Sequence, residues 1–235
     1  ILGDKTRMET LCNNPKVFIR PSPSAGSLGG VARKTRETII LCEAAGYDVV
    51  FIETVGVGQS ETAVHSMSDC FLLLMLSGAG DDLQGIKRGI MEMSDLIAIT
   101  KADGTNKDKA SMAKALYANA LHLFPPTEST WAPTALTSSA VTKEGLPEIL
   151  AKIEEYFALV KGNGYYAHKR REQAKCWMYE TINESLKNSF YENPLIEECI
   201  GNYEASVLAG KTESFTAAEE LLEMYYKRKE AENRE

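Results

Sequence analysis

The sequence predicts an α/β fold: a mostly parallel sheet flanked by helices, followed by an all-helical C-terminal extension. Short apolar runs at 17–19, 48–54, 70–76, 96–100 and 134–136 alternate with helix-length stretches, and strands that alternate with helices imply parallel strand–helix–strand units. Composition then changes at Gly162. Every aspartate and every proline but Pro194 precedes it, whereas the acids beyond it are all glutamates. Asp competes for backbone donors inside a helix and Glu does not. The division expected is therefore an α/β domain over 1–161 and a helical extension over 162–235, with Lys161-Gly162-Asn163-Gly164 as the hinge.

The apolar runs lack polar alternation, which predicts strands buried on both faces. Helices are expected over 34–45, 82–92, 107–124 and 146–160. In the extension, Ala174, Met178, Ile182, Leu186 and Phe190 recur at steps of four along a first helix. A second runs over 194–208 and stops before Gly210, a usual helix-ending residue. A third starts at the capping box Thr216-x-x-Glu219 and places Ala218, Leu221, Leu222 and Tyr225 on one face. Three amphipathic helices carry more apolar surface than one small bundle hides, so the extension predicts a homodimer.

With 235 residues, 44% apolar and 25% charged, the chain can build a packed core. A net charge of −7 argues against a general nucleic-acid or anionic-membrane binder, because either needs a basic face. The run 70–76 is far too short to span a bilayer. Five scattered cysteines without a CxxC pair read as reduced intracellular thiols rather than a disulfide framework or zinc site. No signal peptide is visible in a chain that opens at Ile1, and a cytoplasmic location is expected. His65, His122 and His168 are isolated and predict no metal site. The basic run His168-Lys169-Arg170-Arg171 reads as a solvated helix face, and Met91 and Met93 as core filler.

Ligands of a parallel sheet sit at the carboxyl ends of its strands. The 48–54 run ends in Glu53-Thr54-Val55-Gly56, the pattern in which an acid holds Mg²⁺ and a glycine N–H approaches a γ-phosphate. After 96–100 comes Thr100-Lys101-Ala102-Asp103, which fits [NT]-K-x-D. A carboxylate there accepts from the N1–H and exocyclic amine of guanine, donors that adenine does not pair in this way, while the Lys stem lies along the base. After 134–136 comes Thr137-Ser138-Ser139-Ala140-Val141, a turn whose backbone N–H can meet guanine O6. Each motif is weak alone. In this order, each after a strand, they predict a GTPase.

No G-x-x-x-x-G-K-[ST] phosphate loop occurs in the sequence. Gly29-Gly30-Val31-Ala32-Arg33-Lys34-Thr35 comes nearest, but Arg33 stands where the second glycine belongs, and its Cβ would crowd a phosphate. Since that loop ordinarily follows the first strand of such a domain, the chain reads as beginning inside a GTPase domain.

Five segments then make the sequence recognisable. They are Ile1-Leu2-Gly3-Asp4-Lys5-Thr6-Arg7-Met8, Phe18-Ile19-Arg20-Pro21-Ser22-Pro23, the stretch from Gly29 to Thr38, Glu53-Thr54-Val55-Gly56-Val57-Gly58-Gln59-Ser60-Glu61 and Gly78-Ala79-Gly80-Asp81-Asp82-Leu83-Gln84-Gly85-Ile86-Lys87. They resemble the MeaB/ArgK family, the GTPase chaperones of adenosylcobalamin-dependent methylmalonyl-CoA mutase, to which the human methylmalonic aciduria type A protein is related. The resemblance implies a G domain of the metal-delivery class over 1–161, Mg²⁺ with GTP or GDP as ligand, and dimerisation through the helical extension. It implies a chaperone that gates adenosylcobalamin loading and protects the mutase, in the mitochondrial matrix if the source is eukaryotic.

Carried over by position, Glu53 is the Mg²⁺-side acid and Asp4 a Mg²⁺ or water-network partner. Gly56 faces the γ-phosphate, Lys101 and Asp103 read guanine, and Ser139, Ala140 and Val141 close over the base. The 78–87 segment resembles a mobile loop that responds to the mutase, with Gln84 and Lys87 as its active side chains. Many switch GTPases place a water-orienting Gln directly after the motif glycine. Here that position is Val57 and Gln59 lies two residues on, so intrinsic hydrolysis should be slow until a partner orders 78–87. A nickel-delivery GTPase is an alternative that would want Cys/His clusters near its switches. A dimeric interaction module without turnover is another, favoured by the absent phosphate loop.

Overall fold

The computed structural model of the chain describes residues 8–21, 28–54, 60–77 and 86–232. It begins with α1 (Glu9–Cys12), α2 (Leu28–Ala44) and α3 (Ser60–His65). Then come β1 (Leu72–Leu76), α4 (Ile86–Glu92), β2 (Leu96–Thr100), a 3₁₀ turn (Gly104–Asn106), α5 (Lys107–Leu121), β3 (Thr134–Thr137) and α6 (Leu146–Gly162). α7 (Tyr165–Tyr191), α8 (Pro194–Leu208) and α9 (Ser214–Glu232) follow. It divides into two compact units, Ile1–Lys175 and Cys176–Glu235.

In the first unit β1, β2 and β3 form a parallel sheet in that order, with Leu72 beside Leu96 and Leu96 beside Thr134. The α/β expectation holds. β2 is central and buried on both faces from Leu96 to Ile99. β1 alternates instead: Phe71, Leu73 and Met75 join Met91, Ile97, Ile99, Tyr117 and Leu121 in the core, while Leu74 and Leu76 are exposed. Met91 is the core filler its sequence context suggested.

The two upstream runs depart from expectation. Residues 17–19 and 48–54 belong to no strand, and Phe18, Val49 and Phe51 are exposed, Phe51 at 86%. Apolar character alone does not make a strand, because a strand exists only through a neighbour's ladder of hydrogen bonds. Among the described residues neither run has one.

The end of the sheet where β1 begins is tied to α6 and α7. The Tyr156 hydroxyl (2.9 Å) and Lys169 Nζ (3.0 Å) both donate to the Asp69 carbonyl, and Gln173 Nε2 donates to that of Ser68 at 2.9 Å. Arg170 forks onto the Asp69 carboxylate and reaches Glu43 at 2.8 Å. The basic run is thus not a solvated face. Lys169, Arg170 and Gln173 share one side of α7, as residues three and four apart do, and only His168 and Arg171 are exposed.

Beside this cluster, Asp95 accepts from the Phe71 N–H at 2.8 Å, and Trp131 Nε1 donates to the Asp95 carbonyl at 2.9 Å. Burial raises the Asp95 carboxyl above its ordinary value, opposed by Lys169 and the Phe71 N–H. Burial and Lys169 lower His65.

In the second unit Ile196, Leu221 and Tyr225 form the core with Phe190, Cys199, Ile200, Tyr203 and Met224 around them. The Ser189 and Tyr225 hydroxyls pair at 2.7 Å. Asn193 caps α8 by accepting from the Leu195 N–H at 3.0 Å, with Pro194 in the first turn. α9 starts at Ser214, ahead of the expected capping box, and buries Ala217, Leu221 and Tyr225. Ala218 and Leu222 are exposed: the buried stripe is narrower than the sequence suggests, following steps of four from Ala217.

No disulfide links the five cysteines. Among the described residues, no helix is long and apolar enough to cross a membrane.

Candidate functional site

The parallel register brings the carboxyl ends of β1, β2 and β3 to one edge of the sheet, so the loops after them are neighbours. The Thr100 hydroxyl closes the first gap by donating to the Met75 carbonyl at 3.1 Å. Beyond it the chain turns sharply at Lys101, whose φ of 57° is left-handed. The Ala102 N–H then donates to the Ser138 carbonyl at 3.0 Å, and the Ser138 N–H to that of Ile99 at 2.8 Å. These bonds stitch the loop at 101–103 to the loop at 138–141.

Ser139 joins them chemically. It is fully buried, and its hydroxyl donates to Asp103 Oδ2 at 2.5 Å. The same oxygen accepts from the N–H groups of Val141 and Thr142, both at 3.1 Å. The hydroxyl uses its donor on the carboxylate and its acceptor sites on the turn, so carboxylate position and turn shape depend on one another. Ala140 and Val141 are exposed at the rim.

Gly145 makes the tight return possible. It precedes α6 with φ +79°, and a Cβ there would lie 1.9 Å from the Thr137 carbonyl oxygen, so only glycine fits. The Ser139 N–H then reaches the Glu144 carbonyl at 3.0 Å.

A recess of ≈ 500 Å³ opens here, lined by Leu76, Ser77, Lys101, Asp103, Gly104, Thr105 and Asn106. It offers a carboxylate acceptor, a flexible cation and exposed backbone, a donor set suited to a planar, hydrogen-bonding ligand. Sequence reasoning missed Ser77 and Asn106. The available signal was a polar residue at each strand-to-helix junction, which is too common to be diagnostic.

The remaining expected site residues are placed unevenly. Lys101, Asp103, Ser139, Ala140 and Val141 come together. Glu53 is exposed on the segment without ladder bonds. Asp4, Gly56, Gln59 and Gln84 lie outside the described residues, as does the side chain of Lys87 at the start of α4. Among the described residues no group of three or more His, Cys, Asp or Glu is arranged to hold a metal ion. Mg²⁺ commonly takes one or two carboxylates and completes its shell with phosphate oxygens and water. Of the two acids expected at Mg²⁺, Glu53 is the one among the described residues.

Known proteins bear on this arrangement. A "Putative GTPase" of Caulobacter vibrioides is 47% identical over 222 residues, which is 94% of this chain and 68% of that protein. A "Methylmalonic aciduria type A homolog, mitochondrial" of Caenorhabditis elegans is 43% identical over 226 residues, covering 96% of this chain. This chain spans only 57% of the nematode protein's length. A crystal structure of an LAO/AO transport system kinase superposes with TM-score 0.70 and 36% identity, over 92% of this chain and 68% of that one. The family described as methylmalonyl-CoA mutase-associated GTPase MeaB matches residues 1–195. The matched residues include Asp103 and Ser139, and the chain belongs to the MeaB family of methylmalonyl-CoA mutase-associated GTPases.

Proposed function

We propose that this chain carries the guanine-reading half of a GTP-binding and GTP-hydrolysing chaperone that gates adenosylcobalamin loading and protects methylmalonyl-CoA mutase. The observation that carries the reading is the Ser139–Asp103 hydrogen bond at the carboxyl edge of the sheet. It holds one carboxylate oxygen on the protein side and leaves the other for ligand donors. In this reading Asp103 accepts from guanine N1–H and the exocyclic amine. The Lys101 stem covers one face of the base, and backbone N–H groups of 139–141 meet O6.

The phosphate end is assigned by family resemblance: Gly56 to the γ-phosphate, Glu53 and Asp4 to Mg²⁺ brought in with the nucleotide. Gln59, Gln84 and Lys87 are the candidates to orient water and offset phosphate charge. Engagement of 78–87 by the mutase would add positioning and one cation to a prepared site, an acceleration of about 10²-fold. The homodimer belongs to the same proposal. Its support is the exposed row of Met178, Ile182 and Leu186 along α7.

The test is a nucleotide competition. With a phosphate loop present, GTP should bind more tightly than ATP by about 2–4 kcal/mol, the cost of leaving a charged acceptor unpaired. Asp103→Asn should lose most GTP affinity and gain xanthosine triphosphate, whose 2-oxo group accepts from the new amide. Equal ATP and GTP affinity in the wild type would sink the assignment.

A further inference from the structure

We propose that Asn106 is a positioning residue for base specificity: its side chain locks the 101–103 loop into the conformation that presents Asp103. The inference rests on the guanine-reading role of Asp103 and extends it to a residue outside the T-K-x-D motif.

Asn106 occupies the N-cap position of α5. There an Asn side chain ordinarily accepts from the first-turn N–H groups of its own helix. It makes no such cap, its φ and ψ being −92° and −6°. Its polar atoms go elsewhere. Oδ1 accepts from Ser77 Oγ at 2.8 Å, Nδ2 donates to the Lys101 carbonyl at 2.7 Å, and its backbone N–H donates to the Asp103 carbonyl at 3.0 Å. One residue thus gives up a helix cap and bonds the loop after β1, the Lys101 peptide and Asp103.

Lys101 is where such a clamp is needed. A left-handed φ is unfavourable for any residue with a Cβ and persists only where the surroundings over-determine it. The peptide that follows Lys101 is held on both sides: Asn106 takes its carbonyl, and Ser138 accepts from its N–H, which belongs to Ala102. Without the Asn106 amide the carbonyl is released, Lys101 can relax toward negative φ, and Asp103 loses its alignment with Ser139. Ser77, Lys101, Asp103 and Asn106 all line the same recess, so the clamp lies in the wall of the site it shapes.

The experiment titrates the full chain with fluorescent GDP and ADP analogues, alongside a thermal melt. Asn106→Ala removes both side-chain hydrogen bonds and should weaken GDP binding about tenfold, the effect of loosening a charged group's position. ADP binding should be unchanged, so the GDP-to-ADP ratio narrows by the same factor. Ser77→Ala removes only the bond to the β1 side and should weaken GDP about threefold. Adding it to Asn106→Ala should cost nothing further, since both act through one side chain. If Asn106→Ala keeps the wild-type GDP affinity and ratio, the positioning role is overturned while the Asp103 reading stands. If the wild type itself does not prefer GDP to ADP, the guanine reading fails and takes this proposal with it. Should Asn106→Ala lower the melting temperature sharply, Ser77→Ala decides: a narrowed ratio supports the clamp, and an unchanged ratio overturns it.

Discussion

At the start of β1, Cys70 shows how far one neighbourhood sets a residue's chemistry. Burial, with Asp95 and Asp69 adding negative charge nearby, pushes its thiol up to about 12, against a partial counterweight from Lys169. Since the thiolate is the nucleophile, Cys70 should be inert near neutrality, with roughly a thousandfold less thiolate than an ordinary cysteine. Cys12 and Cys176 are exposed. Timed alkylation with iodoacetamide at pH 8, read by peptide mass spectrometry, should label Cys12 and Cys176 first. Cys70 should follow at least about a hundredfold more slowly, until denaturant opens the unit. Labelling of all three at one rate would contradict this burial.

Among the elements, α7 has two different ends. Its first turns belong to the Ile1–Lys175 unit and hold Ser68 and Asp69 through Lys169, Arg170 and Gln173. The Arg170 side chain is 31% exposed and Asp69 20%, so their ion pair is partly shielded and weighs more than a surface pair. Arg170→Ala leaves the Asp69 carboxylate without its guanidinium and should cost the first unit about 1–2 kcal/mol. Arg171→Ala, one residue on but exposed, should stay within about 0.5 kcal/mol. Urea unfolding of the two variants compares them directly. Equal losses would mean that the charge of the run matters and the Asp69 contact does not.

At the scale of the whole molecule, an exposed apolar row stands out among the described residues. In the Cys176–Glu235 unit Met178 is 50% exposed, Ile182 46% and Leu186 59%, in one row at steps of four. Such a row wants a partner, and a second copy of the same chain is the partner we propose, through a self-complementary two-fold contact. Sedimentation equilibrium of the full chain should give a dimer. Replacing Ile182 and Leu186 together by Asp should weaken that dimer by a factor of about 10² or more, since two charges then face an apolar seam. Far-ultraviolet circular dichroism should be unchanged, both sites being solvent-facing within the chain. Unaltered association in the double variant would rule this row out as the interface.

What the sequence determined by itself was whatever depends on local chemistry. Apolar runs bounded by turn residues were enough for β1, β2 and β3, because each lies in a ladder with a neighbour from the same stretch of chain. The T-K-x-D and Ser-Ala turns were legible because their chemistry is written in consecutive residues. The tertiary structure decided the rest. Residues 17–19 and 48–54 look like strands in composition, yet strand identity depends on a partner that composition does not name. The run 168–171 looked solvated because charge predicts exposure on average, and only the approach of Asp69 turned two of its side chains inward. Asn106 was hidden for a related reason: at a helix start it passes for an ordinary cap. Its bonds to Ser77 and Lys101 exist only because parallel pairing of β1 and β2 brings two loop ends, distant in sequence, within reach of one amide.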